Sequence, residues 1–434
     1  MLQNLERLIQ SSPDPEATAN RMDRLCADVT ALHEIERLPP ELLRDLVTII
    51  STSNFLFHFI MRHPGSITLL GRHSSPGDGE VEAITDFNAL RLYKYRELLK
   101  ITWMDISQSC GYQLVLKALS SLAETVVRRA MRLSLEDDNN YRLVMNSLAV
   151  MALGKLGAAE LNFSSDIDLV FISINPDTHR GDYQDLQDKL IEAIRRLNSA
   201  LEEITDQGFL YRVDMKLRPW GSSGPMIMAI DDTEHYYEAS SEPWERFAWL
   251  RARCIAGSVP LGAAMKERMR PFVFMRSLST EDLERFIEIK NDMSKARRRK
   301  GYWNVKVGEG GIRDIEFFIQ MLQVVNAAKH DALQTTNTLE ALAGLGGNAL
   351  ISPADEQQLH GAYLYLRRLE NRLQMIDERQ THNLPDTREQ RLRLARSLNA
   401  GAATDAEILG NFESELFINQ SIAKRCFERI LPGD

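Results

Sequence analysis

The segment from residue 148 to residue 171 constrains the fold more than any other part of the chain. The apolar run at 148–153 is typical of a buried strand, and Gly154 ends it. A second strand follows, with Asp166 and Asp168 two residues apart. Side chains at positions i and i+2 of a strand leave the same face, so both carboxylates should point to one place. The apolar residues of this strand, which we expect to face a core, are Ile167, Leu169 and Phe171.

Two carboxylates on one face of a strand suit Mg²⁺. This ion prefers hard oxygen ligands and keeps positions open for phosphate oxygens, and paired ions can bind both the attacking and the leaving oxygen of a phosphoryl displacement. An isolated Asp-X-Asp pair also occurs at solvated strand ends and as a loop cap. The order of strand, glycine, spacer and Asp-apolar-Asp resembles the nucleotidyltransferase superfamily, whose members move a nucleoside monophosphate between a phosphate and an acceptor. Lys155 departs from this pattern, because many members have glycine or serine there.

A third carboxylate lies in the segment 208–219. Strict alternation predicts a half-buried strand with Arg212, Asp214, Lys216 and Arg218 on one face. In the alternative interpretation this is an edge strand, and its charges do no more than prevent aggregation. Three cations around one carboxylate, downstream of an Asp-X-Asp pair, fit phosphate and metal binding better, since arginine holds phosphate oxygens in a forked geometry.

Several long motifs in consistent order, from about Leu90 to Leu373, resemble the glutamine synthetase adenylyltransferase family. These bifunctional bacterial enzymes attach AMP to a tyrosine of glutamine synthetase and remove it again. The motifs are Gly154-Lys155-Leu156-Gly157, Glu160-Leu161-Asn162-Phe163-Ser164-Ser165-Asp166-Ile167-Asp168, Val213-Asp214-Met215-Lys216-Leu217-Arg218-Pro219, Trp244-Glu245-Arg246 and Gly310-Gly311-Ile312-Arg313-Asp314-Ile315-Glu316-Phe317. Lys155 suits this narrower family.

The resemblance implies a role for each matched residue. Asp166, Asp168 and Asp214 would be catalytic and would bind Mg²⁺, the expected cofactor. The residues expected to bind nucleotide or phosphate are Gly154, Lys155, Ser164, Ser165, Arg212, Lys216 and Arg218. Arg212 and Arg218 are the main candidates for holding phosphate. No role is assigned to Asp314 or Glu316, although the glycines at 308–311 could expose backbone amides to an anion at a helix start.

The direction of the reaction is predicted from the residues before the aspartates. The family carries two nucleotidyltransferase domains, and this chain shows the signature once. Its Glu-Leu-Asn-Phe-Ser-Ser-Asp-Ile-Asp at 160–168 has the form of the N-terminal, adenylyl-removing domain. The expected reaction is phosphorolysis of adenylyl-tyrosine on glutamine synthetase, with inorganic phosphate consumed and ADP released. The alternatives are adenylylation of a protein tyrosine from ATP, and a regulatory module that binds the PII signal protein without its own catalysis.

Composition limits the kinds of partner and the cellular location that we expect for this protein. A formal net charge of −9 over 434 residues argues against a nucleic-acid substrate, because phosphate-backbone binding depends on cationic surface. Four scattered cysteines have no metal-ligand or disulfide spacing and favour a reducing cytoplasm. The start is unlike a signal peptide, and no stretch has the apolar length needed to span a bilayer. Glutamine synthetase and the PII protein are the partners that the resemblance implies.

The expected fold class is α+β, predominantly helical, with a polymerase-beta-like nucleotidyltransferase core and a small sheet. We expect an N-terminal helical region at 1–138, the core at 139–257 and a C-terminal helical bundle at 258–434. Helical patterns cover 90–135, 185–206, 244–255, 282–299, 313–328 and 354–377. The basic run at 295–300 is either a favourable helix C-terminus or a docking site for an acidic partner. Glu245, Arg246, Arg251 and Arg253 could reach nucleotide or form surface pairs.

Overall fold

The computed structural model describes residues 2–74, 78–136, 138–175, 180–276, 303–398 and 404–429. Helices occupy the N-terminal part. They are α1 (Leu2–Gln10), α2 (Pro15–Cys26), α3 (Val29–Glu36), α4 (Pro40–Thr52), α5 (Asn54–Arg62), α6 (Asp78–Glu82), α7 (Phe87–Ser107), α8 (Tyr112–Ser134) and α9 (Tyr141–Ser147). The predicted helical segment at 90–135 is therefore two helices, and Gly111 lies at the start of the second.

A small mixed sheet follows these helices. Its elements are β1 (Leu148–Ala152), the short helix α10 (Gly154–Gly157), β2 (Ile167–Ser173), α11 (Arg180–Glu202), β3 (Val213–Asp214), β4 (Ile227–Ala229), α12 (Ile230–Ala239), α13 (Glu245–Leu250), β5 (Arg253–Gly257) and α14 (Val259–Arg270). The strand order is β3-β2-β1-β5, and β4 also pairs with β2. β1 is antiparallel to β2 and β5, whereas β3 and β4 run parallel to β2.

Both faces of the sheet are covered, which explains why β1 and β2 are almost continuously apolar. Leu169 and Phe171 of β2 pack into the core shared with the N-terminal helices. Val170 and Ile172 pack into a second core with α12, α13, α14 and part of the C-terminal region. The alternation along β2 thus assigns its residues to two different hydrophobic cores.

The C-terminal region is helical and has its own core. Its elements are α15 (Ile312–Asn326), α16 (Thr338–Gly347), α17 (Pro353–Met375), α18 (Arg388–Leu398) and α19 (Asp405–Glu428). Buried polar residues on α17 distinguish it from a surface helix, and they include Arg367, Glu370, Asn371, Arg372 and Gln374. This helix lies against the segment that carries the aspartates, as described below.

A predominantly helical α+β fold is confirmed, and two local predictions are wrong. The strand expected over 211–218 is only Val213–Asp214 in the structure, because the chain turns there and Lys216 N donates to Asp214 Oδ1 at 2.8 Å. The helix expected over 244–255 ends at Leu250, and residues 253–257 form β5 instead. Pairing with β1 outweighs the local helical pattern there. The predicted helix at 282–299 and the basic run at 295–300 lie outside the described residues.

Candidate active site

The register of the sheet brings the three predicted aspartates together. Asp168 of β2 is the direct partner of Asp214 across the parallel pair of strands, and Asp166 lies immediately before β2. Burial raises the pKa of Asp168 to about 6, with a further contribution from the negative charges of Asp214 and Asp166. Three carboxylates therefore share one site and repel one another.

Two of the carboxylates have cationic partners in this structure. Asp166 accepts from Arg212 Nε at 2.6 Å through Oδ1 and from Gln380 Nε2 at 3.1 Å through Oδ2. Asp214 accepts from the backbone N of Lys216 at 2.8 Å and from its Nζ at 3.0 Å. Asp168 has no hydrogen bond to its carboxylate from any residue within the described ranges. Asp168 is consequently the member of the group whose charge is least compensated.

The glycine turn after β1 is shaped around Asp168. Gly154 has φ +56°, and a Cβ added there would collide with Asp168 Oδ2. The backbone also joins the two segments, since Leu153 N donates to Asp168 O at 2.9 Å. Gly157 is equally constrained, because a Cβ would collide with the backbone oxygen of Arg251. The Gly-Lys-Leu-Gly motif therefore places a bare backbone against the Asp168 carboxylate.

The donor set suits a hard cation such as Mg²⁺, because it consists of carboxylate oxygens with a partly uncompensated negative charge. As the side chains stand, no group of three His, Cys, Asp or Glu residues is arranged to hold a metal ion in the part of the chain that the structure describes. The reason is visible in the contacts, since Asp166 and Asp214 are turned onto Arg212 and Lys216. A cation would have to replace these partners.

Other predicted phosphate ligands are bonded to protein groups. Lys155 is buried, with Nζ 2.8 Å from Glu370 Oε1, and burial lowers its pKa to about 7. Ser164 donates through Oγ to Glu378 O at 2.8 Å, and Ser165 is partly buried beside it. Arg218 donates to the backbone oxygen of Met215, three residues earlier, at 2.8 Å, and to those of Ser222 and Gly224 in the loop that follows, at 3.2 Å. The structure therefore groups Arg212 and Lys216 with the aspartates and uses Arg218 to shape a loop.

The charged residues of the segment 244–255 have structural partners. Glu245 accepts from Tyr236 OH at 3.0 Å, and Arg246 Nε donates to Val273 O at 2.7 Å. Arg251 Nη1 lies 3.2 Å from Glu316 Oε1. Arg253 donates to the oxygens of Gly157 and Leu156, at 3.2 and 2.9 Å, and so supports the glycine turn.

The glycine-rich entry to α15 is also occupied by its own residues. Gly310 N donates to Asp314 Oδ2 at 2.8 Å, and Gly310 has φ +73°. Glu316, further along the same helix, pairs with Arg251. Asp314 therefore closes the helix start, and Glu316 is accounted for by its ion pair with Arg251.

Helix α17 contributes residues that the sequence analysis missed. Asn371 Oδ1 accepts from Phe163 N at 2.8 Å, and Gln374 Oε1 accepts from Ser164 N at 3.0 Å. Arg367 donates to Asn162 Oδ1. These side chains repeat at three- and four-residue steps, so they form one helix face. The signal was present in the sequence, but a polar helix face normally faces solvent, and here it binds the segment before the aspartates.

Comparison with known proteins agrees with this geometry. The family model described as "Glutamate-ammonia ligase adenylyltransferase" matches residues 43–268, just over half of the chain, including all three aspartates. The family that this model describes consists of adenylyltransferases, which are nucleotidyltransferase enzymes. The chain belongs to the glutamate-ammonia ligase adenylyltransferase family, which confirms the resemblance seen in its motifs. A second model, "GlnD PII-uridylyltransferase", matches residues 285–431.

Two curated relatives carry the name bifunctional glutamine synthetase adenylyltransferase/adenylyl-removing enzyme. The protein from Thioalkalivibrio sulfidiphilus is 39% identical over 321 residues, and that from Nitrosococcus oceani is 36% identical over 317 residues. The aligned regions cover 71% and 70% of this chain and 33% of each relative. The match thus spans about a third of the length of these relatives. Within the described residues, every helix is too short or too polar to cross a bilayer.

Proposed function

We propose that this chain removes AMP from the adenylylated tyrosine of glutamine synthetase by phosphorolysis and releases ADP. The observation that carries the proposal is the convergence of Asp166, Asp168 and Asp214 beside Arg212. Such a group of carboxylates serves the transfer of a nucleoside monophosphate, in which the enzyme mainly positions the reactants and stabilises charge.

The chemistry requires one bond to form and one to break. An oxygen of inorganic phosphate attacks the phosphorus of adenylyl-tyrosine, and the bond from phosphorus to the phenolic oxygen breaks. The phenolate leaves with the electron pair and takes up a proton to become tyrosine, while AMP and phosphate become ADP. Bound Mg²⁺ would supply neutralisation of the developing negative charge. Its ligands would be Asp166, Asp168 and Asp214.

Arg212 and Lys216 form ion pairs with two of these carboxylates and are suited to hold the attacking phosphate. Arg212 lies 2.6 Å from Asp166, and Lys216 lies 3.0 Å from Asp214. Both side chains are at least a third exposed, so they can reach a ligand. Arginine offers a planar pair of donors, whereas lysine acts as a point charge. We therefore assign Arg212 the larger role in orienting the phosphate.

The direction of the reaction is supported by the segment Glu160–Asp168, which has the adenylyl-removing form of the motif. In the experiment, adenylylated glutamine synthetase is mixed with this chain, Mg²⁺ and phosphate, and the nucleotide released is identified. We expect ADP, no reaction without phosphate, and no reaction with Asp168→Asn. Release of AMP would indicate hydrolysis and would refute the proposal. Labelling of unmodified glutamine synthetase from ATP, without phosphate-dependent removal, would assign the adenylylating activity instead.

We also infer that the C-terminal helices take part in binding the PII signal protein. The observation behind this inference is the match of residues 285–431 to the PII-uridylyltransferase model. Binding of purified PII protein to the Asp168→Asn variant, measured by calorimetry, tests it independently of catalysis. If PII binds neither this variant nor the unchanged chain, the inference is wrong.

A further inference from the structure

A polar cleft, separate from the site of the three aspartates, lies between the N-terminal and C-terminal helices. It has a volume of about 660 Å³, within the range of small-molecule sites. Its walls come from α2, the end of α4, the end of α17, the segment 376–385 and α18. The polar side chains that the argument uses are Arg21, Asn54, Arg379, Thr381 and Gln390.

Several hydrogen-bonding groups of this cleft have no protein partner. Among the residues that the structure describes, none bonds to the side chains of Arg379, Thr381 or Gln390. Arg379 and Gln390 are exposed where they line the cleft, so their donors can reach a ligand there. Guanidinium and amide donors without a protein partner are suited to an acceptor that a ligand supplies.

The two carboxylates of the cleft are already bonded. Asp14 lies 2.6 Å from Arg393 Nη1 and accepts from Ala17 N at 3.2 Å. Asp377 accepts from Asn54 Nδ2 at 2.7 Å. Arg21, by contrast, donates to backbone oxygens and to Asn54 and has no ion pair among the described residues. The cleft therefore presents unused donors and positive charge, although the whole chain is acidic.

We propose that this cleft binds a small organic anion that carries phosphate or carboxylate groups. Two guanidinium groups, Arg21 and Arg379, flank a space large enough for such a molecule. Guanidinium groups match the paired oxygens of both anion types, and Thr381 and Gln390 add neutral donors. Asp166, Asp168 and Asp214 do not line this cleft.

The segment 377–380 nevertheless connects the cleft to the three aspartates. Asp377 and Arg379 line the cleft, whereas Gln380 donates to Asp166, and the backbone oxygen of Glu378 accepts from Ser164. Arg212 also offers a guanidinium group to an anion, so the site beside the aspartates competes with the cleft as an explanation of any binding. The experiment must therefore separate the two sites.

The test is calorimetric titration of the whole chain, in buffer freed of metal ions with a chelating resin, with pyrophosphate and, separately, with citrate. We expect one anion bound per chain, and at least tenfold weaker binding in Arg379→Gln and in Gln390→Glu. Both side chains are exposed and have no hydrogen bond to another described residue, so neither change should disturb the fold. Matched controls are Arg37→Gln and Gln357→Glu, which make the same charge changes at exposed positions outside the cleft and should bind normally.

The outcomes are distinct. Tighter binding of pyrophosphate assigns a phosphate-type ligand, and tighter binding of citrate assigns a carboxylate-type ligand. Absence of binding by both probes, or equal affinity in the cleft variants and their controls, would overturn the proposal. Binding that is lost in Arg212→Gln but kept in Arg379→Gln would also overturn it, since the anion would then lie beside the aspartates. None of these results depends on the phosphorolysis proposed above.

Discussion

Replacing Asp168 with asparagine should abolish the proposed activity and yet stabilise the metal-free protein. The side chain keeps its shape, so the fit against Gly154 is preserved. What changes is the charge, because the Asp168 carboxylate has no hydrogen bond from the described residues and interacts unfavourably with Asp214 and Asp166. Removal of this negative charge relieves both its burial cost and its repulsion from the neighbouring carboxylates.

The magnitude follows from the raised pKa of Asp168. Each pKa unit corresponds to about 1.4 kcal/mol, so a rise from 3.8 to about 6 disfavours the folded state by about 3 kcal/mol above neutral pH. The folded protein binds the proton more tightly than the unfolded chain does, so stability is lost as the pH rises from about 4 to above 6. The amide of the variant cannot ionise, and the advantage of Asp168→Asn should therefore be complete at pH 8 and about half as large at pH 5.

The assay is denaturant unfolding of both proteins in EDTA at pH 5 and pH 8, repeated with Mg²⁺. Added Mg²⁺ should stabilise the wild-type protein, since a ligand that binds only the folded state raises the free energy of unfolding, and it should stabilise Asp168→Asn much less. A variant that is less stable than the wild type at pH 8, or an advantage that does not shrink at pH 5, would refute the electrostatic argument. Equal stabilisation of both proteins by Mg²⁺ would refute the assignment of Asp168 as a ligand.

Three further predictions concern the surroundings of the site and the choice of partner. Gly154→Ala should remove most of the activity, because its Cβ collides with Asp168 Oδ2, whereas Gly361→Ala, where a Cβ meets open space, should leave turnover unchanged. Glu370→Gln should lower the free energy of unfolding by about 3 to 5 kcal/mol, since it leaves Lys155 buried without its counter-charge, and urea titration measures this. The chain should not bind DNA or RNA with a steep salt dependence, given its net charge of −9, and a sub-micromolar complex at physiological salt would contradict this expectation.

Local patterns predicted much of the sheet but failed where pairing decided the outcome. β1 and β2 lie where the apolar runs indicated, because a short run of apolar residues between turn residues is a strong strand signal. β5 was missed, since the segment 244–255 has a helical pattern and becomes a strand only by pairing with β1. The strand around Asp214 was predicted too long, because polar and apolar residues continue to alternate after the strand has ended. The chain turns there, and a hydrogen bond from Lys216 N to the Asp214 carboxylate closes the turn.

The sequence by itself determined the family, the predominantly helical class and the residues of the acidic site. Motif spacing is written along the chain, and the two aspartates of β2 share a face in any strand. Only the tertiary structure decided which hydrogen-bond donors meet those aspartates, because Arg212 and Gln380 reach Asp166 from segments 46 and 214 residues away. It also decided that Lys155 is buried against Glu370, 215 residues distant, and that the polar face of α17 holds the segment before the aspartates. Such contacts depend on how helices and sheet pack, and a local pattern cannot distinguish a polar face that meets solvent from one that meets a buried loop.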